Sequence, residues 1–157
     1  TSYPVAIKLP GGPMISDGSR VTKDFGRLNR YEVAQTGEKI AIIGLGTFFE
    51  LAKEAAKLLK EEAGINATVI NPYYITGLDE ALLTKLKQNH DTVITLEDGI
   101  LDGGFGEKIA RFYGASNMKV MNYGLKKEFL DRYDVDAVLK ENHLTVEQIV
   151  EDVLSIS

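Results

Sequence analysis

Gly37-Glu38-Lys39-Ile40-Ala41-Ile42-Ile43-Gly44-Leu45-Gly46-Thr47 joins a buried strand to the start of a helix. Ile40 to Ile43 is a continuous apolar run without polar alternation, the pattern of a strand covered on both faces in a parallel sheet. A helix is expected from Phe48, because Phe48, Leu51, Ala52, Ala55, Leu58 and Leu59 share one stripe at 3.6-residue spacing. Thr47 and Glu50 have the spacing of a capping box at its start, and Gly64 suits its end.

Working outward, the same alternation continues. Strands are expected at Ala67 to Ile70, Thr92 to Leu96 and Lys119 to Asn122, and helices at about Asp79 to Gln88, Gly106 to Tyr113, Asp134 to Glu141 and Val146 to Leu154. Thr145 with Gln148 forms a second capping box, and Leu144 with Ile149 a hydrophobic staple. Upstream, residues 1–37 read as an irregular leading segment, a linker from a preceding domain. It holds a short strand around Val5 to Leu9 and the turn cluster Pro10-Gly11-Gly12-Pro13. The fold class is therefore α/β: a three-layer α/β/α domain over residues 38–157, with a mostly parallel sheet of about five strands.

Composition narrows the function classes. At 157 residues and 44% hydrophobic, the chain is long enough to bury one core without staples. It has no cysteine, which rules out disulfides and thiolate metal sites and fits a cytoplasmic location. Lys plus Arg total 18 against 23 Asp plus Glu, a net charge of −5 that opposes a nucleic-acid partner. No apolar run approaches the roughly 20 residues of a membrane span, so the chain reads as soluble, with no membrane partner. The plunge from Thr1 into Val5-Ala6-Ile7 reads as a chain cut from something longer, or as a processed or trimmed start. Arg20, Lys23, Arg27 and Arg30 make the leading segment locally basic, as a solvated loop or as an anion site.

Motifs with chemical potential are few. Gly44-Leu45-Gly46-Thr47 stands at a strand-to-helix turn, where free amides and the helix dipole suit a phosphate. Phe49 occupies the position of the third dinucleotide-fingerprint glycine, and Asn71 stands where an acid would hold a ribose, so a tight structural turn is the better reading. Glu97-Asp98-Gly99 lies at the carboxyl end of a buried strand, and Gly103-Gly104-Phe105-Gly106 opens the next helix. Two acids beside a glycine-rich turn suit capping and loop ordering, or contact with another subunit. With no third acid or histidine at ligand spacing, no metal site is expected. His90 and His143 stand apart from any triad or zinc spacing and read as surface residues at helix ends.

Taken in order, Ala6-Ile7-Lys8-Leu9-Pro10-Gly11-Gly12, Gly37 to Thr47, Gly77-Leu78-Asp79, Thr95-Leu96-Glu97-Asp98-Gly99, Gly103-Gly104-Phe105-Gly106 and Asn122-Tyr123-Gly124-Leu125 carry a resemblance over nearly the whole chain. The set resembles the C-terminal domain of transketolase-like thiamine-diphosphate enzymes, nearest to the 1-deoxy-D-xylulose-5-phosphate synthases. The resemblance implies a full enzyme that joins pyruvate to glyceraldehyde 3-phosphate with loss of carbon dioxide, for isoprenoid precursors, using thiamine diphosphate and Mg. It further implies a homodimer, with preceding thiamine-diphosphate-binding domains on the same or a separate chain. Those domains carry a Gly-Asp-Gly motif and the glutamate that activates the cofactor. No Gly-Asp-Gly occurs here, so this chain is expected to hold no catalytic residue, bind no cofactor and be inactive alone. What remains for it is subunit contact, with Glu97, Asp98, Gly103 and Gly104 as the strand-end loop, and a wall near the substrate entrance.

One departure bears on the substrate. The synthase pattern implied by the resemblance is Arg-Tyr-Pro-Arg-Gly, its second arginine on the substrate phosphate, and this chain has Lys8-Leu9-Pro10-Gly11-Gly12. Losing a charge-assisted phosphate contact removes about 1.5–3 kcal/mol of recognition. Lys8 keeps a charge without the bidentate fork. Either another cation compensates, with Arg20 as candidate, or the substrate is a different aldehyde or ketose, an unphosphorylated one among the options. The C-terminal part of a transketolase or of a 2-oxo acid dehydrogenase β subunit shares the same domain. A free-standing interaction or nucleotide-binding module is the reading from another class.

Overall fold

Along the strand Lys39–Gly44 (β2), Ile40 and Ile42 join one apolar cluster while Ala41 and Ile43 join another, so this strand is covered on both faces. The computed structural model describes residues 4–7 and 26–156. In chain order these form strand β1 (Glu32–Gln35), β2, helix α1 (Phe48–Ala63), β3 (Thr68–Asn71), α2 (Glu80–Leu86), β4 (His90–Ile100), α3 (Phe105–Tyr113), β5 (Lys119–Leu125), α4 (Val135–Glu141) and α5 (Val146–Ser155). The sheet order is β1-β3-β2-β4-β5, with β2 to β5 mutually parallel and β1 antiparallel to β3 at the edge.

One helical layer joins Ala52, Ala55, Ala56 and Leu59 of α1 to Ile149, Val150 and Val153 of α5, all at most 1% exposed. The other joins Leu83 and Leu86 of α2 to Phe105, Ile109 and Tyr113 of α3. This is the expected three-layer α/β/α fold. The α1 stripe is buried as its periodicity requires, and Gly64 closes the helix in the left-handed conformation (φ 68°). Leu144 and Ile149 are both buried at the start of α5, and the Thr145 hydroxyl accepts from the Gln148 amide. Gln148 does not complete the reciprocal box, because its Oε1 accepts from the Thr145 hydroxyl, while its Nε2 donates to the Lys140 carbonyl. No helix among the described residues is long and apolar enough to cross a membrane.

Four expectations are corrected. Residues 4–7 form no strand, and Val5 and Ile7 are exposed; residues 8–25, with Lys8, the Pro10 to Pro13 cluster and Arg20, lie outside the described residues. The stretch read as irregular up to residue 37 contains β1, whose residues Glu32 to Gln35 are all exposed and show no apolar pattern. What makes them a strand is backbone pairing with β3, Glu32 opposite Asn71 and Val33 opposite Ile70. Thr47 does not cap α1: its backbone is already helical (φ −64°, ψ −25°), whereas a capping residue needs an extended one. The first-turn amides of Phe48 and Phe49 donate to the Leu45 and Gly46 carbonyls, and Glu50 pairs with Lys53. Finally, β4 and β5 run beyond their expected ends, to Ile100 and Leu125.

Candidate functional site

That extension builds the most specific local structure of the molecule. Leu96 pairs with Tyr123 and Ile100 with Leu125, so four steps along β4 face two along β5. Such a bulge bends the strand and re-aims side chains. Here it holds Glu97 in the interior, 4% exposed, at the amino end of α3. Its Oε2 accepts from the Phe105 amide and its Oε1 from the Gly106 amide, both at 2.8 Å. These are two donors that the first helical turn leaves without partners, and the positive end of the helix dipole favours the carboxylate there. With each oxygen accepting a first-turn amide, Glu97 caps the helix.

The surrounding glycines follow from this carboxylate. A Cβ on Gly104 would lie 2.6 Å from both Glu97 oxygens, and one on Gly106 would lie 2.6 Å from Thr95 Oγ1. Gly103 turns the chain at φ 73°, in the left-handed region that glycine enters without steric cost. Across the bulge, a Cβ on Gly124 would meet the Gly99 carbonyl at 2.9 Å. The Leu101 amide donates to the Leu125 carbonyl and the Gly104 amide to the Leu101 carbonyl, at 3.0 and 2.9 Å. Residues 98–104 are thus a loop fixed from three sides, with Asp98, Ile100 and Asp102 exposed on it.

A second carboxylate organises the neighbouring loop. Asp79 is buried at the start of α2, where Oδ1 accepts from the Leu82 amide and from Arg30 Nη1, and Oδ2 from the Tyr31 amide. Arg30 remains 58% exposed, so the ion pair adds little beyond fixing geometry. Tyr31 donates to the Gly77 carbonyl, and its ring lies 6.2 Å from that of Phe105; burial pushes its phenol above the usual range. Lys108 on α3 donates to the Ile75 carbonyl, tying the two loops together. Nearby, Tyr73 donates to the Glu32 carboxylate, and partial burial together with that partner pushes its phenol up to about 12.

The segments that follow the carboxyl ends of the parallel strands also carry apolar side chains in water. Tyr73 and Ile75 follow β3, Ile100 ends β4, and Phe129, Leu130 and Tyr133 follow β5; Phe129 is fully exposed. Residues 126–137 are exposed without interruption.

His143 is the surface residue expected, just past the end of α4, whereas His90 is not. His90 is 9% exposed at the first position of β4, where its ring bridges Thr68 and the Leu86 carbonyl. Burial lowers its pKa. His143 is exposed, but its Nδ1 lies 3.0 Å from Asp152 Oδ2, an oxygen that also accepts from the Tyr123 hydroxyl. Nine residues separate that pair, outside the triad and zinc spacings that a sequence scan tests. Among the described residues no three His, Asp or Glu side chains come together as metal ligands.

Of the expected site residues, the structure brings Glu97, Gly103 and Gly104 together and leaves Asp98 on the exposed loop; Lys8 and Arg20 are outside the described residues. Reading of the sequence missed the roles of Asp79, Arg30, Tyr31 and Gly124. An aspartate directly before an apolar helix was the available signal for Asp79. The Arg30 and Tyr31 contacts span 49 and 48 residues, and no local pattern encodes them.

Residues 29–149 match the family described as transketolase, C-terminal domain. The 1-deoxy-D-xylulose-5-phosphate synthase of Symbiobacterium thermophilum is 35% identical over 150 residues, covering 94% of this chain and 23% of that protein. That of Francisella tularensis subsp. novicida is 31% identical over 154 residues, covering 95% and 24%. The chain therefore spans about a quarter of the length of these relatives. Among solved structures, one described as a split gene transketolase, inactive beta4 tetramer, superposes with TM-score 0.72 at 27% identity, over 81% of this chain and 42% of that one. Transketolase from Campylobacter jejuni shares the fold at TM-score 0.58 and 19% identity, over 81% of this chain and 18% of that one. With a family match over residues 29–149 and a mostly parallel sheet that superposes on transketolase structures, the chain belongs to the transketolase C-terminal domain family.

Proposed function

We propose that this chain is the C-terminal domain of a thiamine-diphosphate-dependent carboligase of the 1-deoxy-D-xylulose-5-phosphate synthase kind, working in the cytoplasm as part of a homodimeric enzyme. Its task is to contact the other domains and to wall the substrate entrance. The observation that carries this reading is that the 98–104 segment, held by hydrogen bonds, and the exposed Tyr73, Ile75, Ile100 and Phe129 all lie at or after the carboxyl ends of the parallel strands. Exposed apolar side chains gathered beside a preorganised loop are what a covered surface requires.

The described residues do not fit the cofactor's metal-diphosphate group. Each oxygen of Glu97 accepts an amide, and among the described residues no three His, Asp or Glu side chains come together as metal ligands. Thiamine diphosphate, held with Mg by neighbouring domains, supplies the carbon–carbon bond chemistry, and this chain supplies shape and contact. The pairing of β1 with β3 and a family match that begins at residue 29 support a linker from those domains that ends before that point. A nucleotide-binding module is less well supported, since the Phe48 and Phe49 amides at the Gly44 to Thr47 turn are used by the turn itself.

Likeness to a split gene transketolase supports a second arrangement, in which the cofactor-binding domains sit on a separate polypeptide. Reconstitution with and without a covalent link between the parts separates the two.

The substrate is read by comparing carboligation of pyruvate with glyceraldehyde 3-phosphate and with unphosphorylated glyceraldehyde, in the enzyme with its thiamine-diphosphate-binding domains. Strong preference for the phosphorylated aldehyde establishes synthase activity and requires a cation other than the arginine that Gly11 replaces. Equal or reversed preference assigns an unphosphorylated acceptor. No turnover of pyruvate contradicts the synthase reading.

A further inference from the structure

At the amino end of the sheet the chain carries a buried hydrogen-bonded relay that the proposed function does not use. His90 Nδ1 lies 3.1 Å from the Leu86 carbonyl oxygen, which only accepts, so Nδ1 carries the proton of the neutral ring. Nε2 is then an acceptor, and the Thr68 hydroxyl, 2.8 Å away, donates to it. The same hydroxyl oxygen accepts from the Gly37 amide at 2.9 Å. One directed chain therefore runs from Gly37 through Thr68 and His90 to Leu86, joining the β1–β2 turn, β3, β4 and the last residue of α2.

The turn it fastens has no slack. A Cβ on Gly37 would come within 1.8 Å of the Asn66 carbonyl oxygen. The Glu38 amide donates to that carbonyl at 2.9 Å, the Lys39 amide to the Asn89 carbonyl at 2.8 Å, and the Asn66 side chain to the Thr36 carbonyl at 3.1 Å. Thr68 is 2% exposed, so no water is at hand to replace a lost partner.

We propose that His90 and Thr68 form an acid-sensitive latch that fastens the β1–β2 turn to the sheet and loosens when Nε2 gains a proton. A protonated Nε2 can only donate. The Thr68 oxygen must then take two donors, while its own hydrogen is left buried without an acceptor. The charged groups around the ring are mixed. Glu38 on the turn and Asp91 on β4 favour the cation, Lys39 stands opposite His90 in the β2–β4 register, and Lys87 after α2 lines the same shallow depression as His90. Thr68 from β3 and Ser116 and Asn117 before β5 add no charge. Burial outweighs the two acids and keeps the ring neutral. Loosening this seam frees β1 and the chain that precedes it from the rest of the sheet.

Amide exchange of Gly37 and Glu38, referenced to Ile94 in the middle of β4 and corrected for intrinsic rates, tests the latch in the intact protein. As the pH falls from 7.5 until the nitrogen-15 shifts show the His90 ring protonated, their relative protection is expected to fall at least about fivefold. In His90→Gln, whose side-chain oxygen can still accept from Thr68, the ratio is expected to stay constant. If that variant does not fold, nitrogen-15 shifts of the wild-type ring decide, and the proton must sit on Nδ1 at pH 7.5. A proton on Nε2, or protonation of His90 with the Gly37 to Ile94 ratio unchanged, would overturn the proposal.

Discussion

The two ends of the sheet are built on opposite plans. At the carboxyl end, carboxylates are buried against helix amino termini: Glu97 holds α3, and Asp79 holds α2 together with Arg30 and Tyr31. Around these rigid points, apolar side chains such as Ile100 and Phe129 are left in water. At the amino end, neutral groups are tied to one another through Gly37, Thr68 and His90, and Ile156 is an exposed apolar side chain close to β5, where Lys119 donates to its carbonyl. One end is rigid in its frame and unfinished on its surface, and the other is closed on itself. The contrast teaches that Glu97 and Gly104 are shaped for a structural task, and that what they support, the 98–104 loop, is what faces outward.

The largest test of this contrast is Glu97→Ala. It leaves the Phe105 and Gly106 amides buried without acceptors, and a loss of about 3 kcal/mol is expected in urea unfolding. Glu97→Gln, which keeps one acceptor oxygen, should lose less. An unchanged midpoint for Glu97→Ala would return Glu97 to the list of groups available for chemistry.

A smaller effect is expected from acid at the other end. The pKa of His90 is lower in the folded state than its ordinary value of 6.5, so the unfolded chain binds the proton more readily. Stability from the neutral ring is thus fully present above pH 6.5 and is lost as the pH falls through the lower folded-state value. Unfolding midpoints of the wild type and His90→Gln should therefore diverge between neutral pH and about pH 5. Parallel curves would show that His90 does not titrate across folding.

The smallest stability change belongs to the outward surface. Phe129→Ser and Ile100→Ser should alter the unfolding free energy of the chain by no more than about 0.5 kcal/mol. The same substitutions should weaken association with the thiamine-diphosphate-binding domains. A large stability loss would mean that these side chains already serve the domain's own core.

How much of this was legible in the sequence depends on the range of the forces involved. Ile40 to Ile43 and the α1 stripe declare themselves because burial on a regular element repeats with that element's period. β1 does not, because Glu32 to Gln35 bury no side chain and are recruited by backbone pairing across 39 residues, from Glu32 to Asn71. The Gly103-Gly104-Phe105-Gly106 loop is legible as a helix opening, and Glu97 as a capping acid, but the clash that forbids a Cβ on Gly104 is visible only in three dimensions. His90 reads as a surface residue because nothing in Gln88-Asn89-His90-Asp91 signals that Thr68 covers it. The substrate question rests on Lys8, Gly11 and Arg20, which lie outside the described residues.

In the proposed assembly the carboxyl end of this domain is the face that the other domains cover. Hydrogen exchange of the chain, free and assembled with the thiamine-diphosphate-binding domains, tests it most directly. Assembly is expected to slow exchange in residues 98–104 and 126–137 and to leave 36–39 and 114–118 unchanged. Protection confined to the amino-end segments, or none at either end, would contradict it.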